Sequence, residues 1–72
     1  MHEEYYYVDL REGDFIIDTV NVVTGHKTPC VKYPDSGGTA PADLVDAVAG
    51  AEMEGYEVRY SDSALVRLGG PV

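Results

Sequence analysis

The chain has 72 residues, and its 13 acidic side chains against five basic ones give a formal net charge of −8 at pH 7. That length excludes a second domain and leaves a small core, burying roughly 60 to 65% of the extended chain's surface. The charge disfavours direct binding to nucleic acid or to an anionic membrane, and the lone cysteine, Cys30, excludes an internal disulfide.

A hydrophobic content of 44%, with six tyrosines, is ample for folding, so the chain is expected to form one acidic domain over residues 1–72, with flexible ends at 1–3 and 69–72. Met1-His2-Glu3-Glu4 is acidic where a signal peptide would be basic, and no apolar run approaches the roughly 20 residues needed to span a bilayer. Together with a single thiol, this predicts an unprocessed, soluble, cytoplasmic protein. The acidity itself has three readings: solubility, adaptation to a salty cytoplasm, or function.

In chain order, Tyr5-Tyr6-Tyr7-Val8-Asp9-Leu10 and Phe15 to Val23 are rich in aromatic and β-branched residues and read as strands. A tight turn at Glu12-Gly13 would pair Arg11 with Asp14, Leu10 with Phe15, Val8 with Ile17 and Tyr6 with Thr19. Alternation then puts Tyr6, Val8, Leu10, Phe15 and Ile17 on a core face and Tyr5, Tyr7, Asp9, Ile16, Asp18 and Val20 on the other. Thr24-Gly25-His26 is turn-like, and Lys27 to Tyr33 predicts a third strand, which Pro29 demotes to an edge.

Pro34 to Gly38 reads as a flexible loop. Thr39 as N-cap and Pro41 in the first turn start a helix over about residues 40 to 54, with Leu44, Ala47, Val48 and Ala51 on one face and Gly55 as terminator. Tyr56 to Tyr60 and Ala64 to Leu68 then read as a second hairpin turning at Ser61-Asp62-Ser63. The fold class expected is α+β, in the order β-β-(β)-α-β-β, an antiparallel or mixed sheet with one helix on one face. The other face is left for water, a second copy or a partner.

Cys30 with His26, and Asp35 as an orienting group, has the residue types of a nucleophile and base. Nothing around Cys30 resembles a helix N-terminus or a basic pocket that would lower its pKa, and a lone cysteine is commonly a small buried hydrophobe. No enzyme is expected. Scattered carboxylates match no calcium loop, and His26 has no second ligand at a useful spacing, so neither metal nor cofactor is expected. Asp35-Ser36-Gly37-Gly38-Thr39 lacks the lysine of a phosphate loop.

Leu65 to Val72 resembles the end of a ubiquitin-like precursor, where a strand leads into a diglycine followed by residues that are removed. The resemblance implies a modifier precursor in which Gly70 of the Gly69-Gly70 pair becomes the conjugating end. In size and charge the chain also resembles the small acidic proteins of phages and mobile elements, anti-CRISPR inhibitors among them, that imitate a nucleic-acid backbone.

The leading expectation is a non-enzymatic protein-binding module whose open face, with Tyr5, Tyr7, Asp9, Asp18, Glu3 and Glu4 as the contact residues, engages a basic protein and inhibits a nucleic-acid-binding complex. The alternative is a self-associating structural domain, a homodimer through the same face.

Overall fold

The computed structural model describes residues 2–69. It is a small α+β fold, a four-stranded mixed sheet with two helices. Strands β1 (Glu4–Arg11) and β2 (Asp14–Asn21) form an antiparallel hairpin, with Arg11 opposite Asp14, Leu10 opposite Phe15, Val8 opposite Ile17 and Tyr6 opposite Thr19. The register follows from a two-residue turn in which Glu12 (φ 54°) and Gly13 (φ 83°) are both left-handed, the geometry that matches strand twist.

Strand β3 (Lys27–Tyr33) pairs antiparallel with β2 and lies at one edge of the order β3-β2-β1-β4. Its ladder shifts at Ile17 and Asp18, whose partners are Val31 and Pro29, so that Cys30 is the extra residue of a bulge. Pro29, unable to donate, thus sits where an edge tolerates it. Cys30 is exposed, not the buried hydrophobe that a lone cysteine suggests.

Helix α1 (Ala42–Met53) starts two residues later than a Thr39 cap would set it. Pro41 is the N-cap residue, extended at φ −60°, ψ 145°, and its carbonyl accepts from the amides of Leu44 and Val45. Thr39 instead closes a turn onto the Ser36 carbonyl, and the Gly38 amide donates to Asp35 Oδ1 at 3.2 Å, so the segment taken for a flexible connector is tied by its own hydrogen bonds. At the other end Gly55 (φ 90°) ends the helix. Its amide donates to Glu52 and that of Tyr56 to Ala51, a paired Schellman closure.

Strand β4 (Val58–Tyr60) runs parallel to β1, with Tyr6 opposite Val58 and Val8 opposite Tyr60. The second hairpin is not formed: Ala64 to Leu68, expected as a strand, falls mostly in helix α2 (Asp62–Arg67). Ser61 decides this. Its backbone is extended (φ −71°, ψ 161°), its hydroxyl accepts from the Ala64 amide at 3.1 Å, Asp62 lies in the first turn and Arg67 in the last, both matched to the helix dipole. The strand on which the ubiquitin-like resemblance rested is therefore helical, and Gly70 lies outside the described residues.

Val8, Phe15 and Ile17 of the sheet, Leu44 of α1 and Ala64 of α2 form the core, with Tyr6, Leu10, Tyr33, Val48 and Tyr60 packed around it. Both helices thus contribute to the cover of one sheet face and leave the reverse face open. Burial raises the phenol pKa of Tyr60, and raises that of Tyr6 with a smaller contribution from Tyr56, whose ring stacks on Tyr6 at 4.8 Å. No helix among the described residues is long and apolar enough to cross a membrane.

Candidate functional site

The open face carries Tyr5, Tyr7 and Asp9 of β1 beside Ile16, Asp18 and Val20 of β2, as strand alternation requires. It is not an acidic face. Neighbouring strands bring four of the chain's five cations to it, because Lys27 and Lys32 are the β3 partners of Val20 and Ile16, Arg59 is the β4 partner of Tyr7, and Arg11 ends β1.

Each cation is engaged. The Arg59 guanidinium lies 4.1 Å from the Tyr5 ring centre and pairs with Glu57, whose hydrogen bond raises its pKa. Lys27 Nζ stands 4.7 Å from the Tyr7 ring centre. Lys32 meets Asp14 at 2.9 Å, a contact that lowers the carboxyl pKa and raises that of the amine. Arg11 bridges Asp9 at 3.2 Å and Asp18 at 2.5 Å, and its pKa is raised chiefly by the hydrogen bond to Asp18.

These contacts revise the expected contact set. Asp18 is 2% exposed, so its carboxylate is spent inside the chain on Arg11 and offers nothing to a partner; its Oδ1 is buried with no hydrogen-bond partner among the described residues. Asp9 is held by Arg11 and by the Leu10 amide at 2.9 Å. Tyr5 and Tyr7 are half-buried beneath cations. Glu3 and Glu4 are exposed at the head of β1, with Glu4 opposite Asn21 and the Glu3 carbonyl accepting from Val22. His2, assigned by sequence to a flexible end, stacks on Tyr56 at 3.7 Å and contacts the Glu54 carbonyl at 3.0 Å.

The unpaired charge lies elsewhere. Asp9, Asp14, Asp18, Asp35 and Glu57 form ion pairs, Asp35 with Arg67, and the other eight of the 13 carboxylates form none among the described residues. Four of them, Asp43, Asp46, Glu52 and Glu54, are exposed on or just beyond α1. Asp62 begins α2, Glu3 and Glu4 lead into β1, and Glu12 is in the hairpin turn. Sequence reasoning missed this division. Strand parity alone places Arg11 with Asp9 and Asp18, but seeing Lys27, Lys32 and Arg59 there requires knowing which strands flank the hairpin.

Asp35, the candidate orienting group for His26, is engaged by Arg67 and the Gly38 amide. Among the described residues, no group of three or more His, Cys, Asp and Glu is placed to hold a metal ion. Comparison with protein-family models, with curated proteins and with solved structures finds no match for this chain.

Proposed function

We propose that this protein is a non-enzymatic binding module that engages a basic protein surface, and that it acts by competing with the nucleic acid such a surface would otherwise hold. The observation that carries this reading is the division of charge: all five cations are committed within the chain, and eight carboxylates, four of them along α1, remain to set the external field. Spaced carboxylates on a helix complement lysine and arginine and steer their encounter. The docking surface is accordingly moved from the tyrosine face to the helix layer and the head of β1.

The test is capture from a native lysate at low and high ionic strength, with nuclease treatment in parallel. A basic partner retained at low salt, lost at high salt and indifferent to nuclease supports the reading; retention independent of salt overturns it.

A second reading, self-association, is favoured by the neutralised open face. Two copies of a −8 chain repel least where acids are already paired, and Tyr5, Tyr7 and Ile16 supply apolar area there. Sedimentation decides it: a monomer at high micromolar concentration removes the dimer.

A further inference from the structure

Along one flank of α1, bounded by Tyr60 of β4 and by Leu68 at the end of α2, runs a groove of about 210 Å³ lined by Val45, Val48, Ala49, Tyr60 and Leu68, with Glu52 its one carboxylate. Past Val45 and Leu68 it opens into a shallower depression edged by Gly38, Arg67 and Gly69. The groove is open to water: Val45 is 55% exposed and Leu68 36%. Among the described residues Arg67 is the one cation lining the groove or this depression and is held by Asp35, whereas Glu52, and Asp46 and Glu54 elsewhere on the α1 segment, have no ion pair.

We propose that this groove docks an amphipathic helical segment of a partner protein, its apolar side chains seated against Val45, Val48 and Leu68 and its lysines or arginines reaching the carboxylates of α1. An apolar trough along a helix flank, here set by Val45, Val48 and Ala49, accepts side chains repeating every three to four residues, the spacing one face of a helix presents. Long basic side chains suit the groove because their methylene stems lie on apolar surface while their charges reach Glu52. An acidic segment would be repelled, and an anionic membrane with it. This proposal rests on the acidic-module reading and gives it a location and an occupant.

The probe is a labelled synthetic amphipathic peptide of leucine and lysine, about 18 residues long, titrated against the full chain by fluorescence anisotropy. One control peptide carries glutamine for every leucine, and another glutamate for every lysine. Val45→Asp and Ala49→Asp, both at exposed positions, add negative charge while spoiling the apolar floor, so charge alone predicts tighter binding and groove docking predicts weaker. Circular dichroism establishes that each variant is folded.

The expected result is binding of the leucine–lysine peptide, weakened at least tenfold by either substitution and several-fold by Glu52→Lys, with at least tenfold weaker binding of both control peptides. Equal binding of the glutamine–lysine peptide, or unchanged or tighter binding by the two aspartate variants, overturns the groove while leaving the acidic module standing. If neither the leucine–lysine nor the glutamine–lysine peptide binds, both readings are overturned.

Discussion

The sheet face bearing Val8, Phe15 and Ile17 is closed by Leu44 of α1 and Ala64 of α2, whereas the opposite face buries Val20 and Asp18 with side chains of the sheet itself. Val20 sits between its ladder partners Tyr5 and Lys27, and Asp18 lies beneath Arg11. One face excludes water with apolar area supplied from distant parts of the sequence. The other does so with aromatic rings, cations and paired acids on adjacent strands, and as a result it is electrically quiet while the helix layer carries the charge.

Substitutions separate the two faces most sharply at their centres. Phe15→Ala, at a side chain with no solvent exposure, is expected to destabilise by about 3 to 5 kcal/mol, enough to unfold most of a domain this small, which a urea titration followed by circular dichroism will show. On the open face Arg11→Met strands Asp18, whose Oδ1 has no hydrogen-bond partner among the described residues, and the expected loss is about 1 to 3 kcal/mol; adding Asp18→Asn should recover part of it. If Arg11→Met proves neutral, the buried carboxylate is not what organises this face.

Smaller effects test the joints. Ser61→Ala removes the hydroxyl that caps α2 and should cost about 1 kcal/mol. Lys32→Met should leave the urea midpoint nearly unchanged, because water screens its pair with Asp14. The acid limb of that pair has a defined sign: the Asp14 carboxyl is depressed in the fold, so its contribution is present above the unfolded carboxyl pKa and fades as pH falls through the depressed value.

The alkaline limb has the opposite origin. Tyr6 and Tyr60 are raised above 10.0 by burial, so the folded state favours their neutral phenols, and their contribution is whole below about pH 10 and lost as pH climbs through the folded values. Urea midpoints should therefore decline over the range in which tyrosinate absorbance develops, and Tyr60→Phe should flatten that decline.

The β1–β2 hairpin was legible because its register depends on neighbours in the chain: alternating residues and a Glu12-Gly13 turn suffice to set Val8 against Ile17. Helix α1 was legible through its apolar spacing and Gly55, although its start moved because the Asp35–Gly38 and Ser36–Thr39 contacts claim the segment containing Thr39. The last element was misread because Ser61-Asp62-Ser63 suits a turn and a helix start equally, and Ala64 to Leu68 is too short for periodicity to arbitrate. Ser61 followed by Asp62, with Arg67 a turn and a half later, was the available signal.

The amino-acid sequence by itself determined the excess of carboxylates, the lone thiol, the hairpin register and the apolar stripe of α1, because each follows from composition or from residues a few positions apart. Only the tertiary structure decided where the charge is spent. Lys27, Lys32 and Arg59 reach the tyrosine face because β3 and β4 flank the hairpin, and Arg67 meets Asp35 from 32 positions away. Coulomb attraction depends on distance in space, which strand order and helix docking set and sequence separation does not.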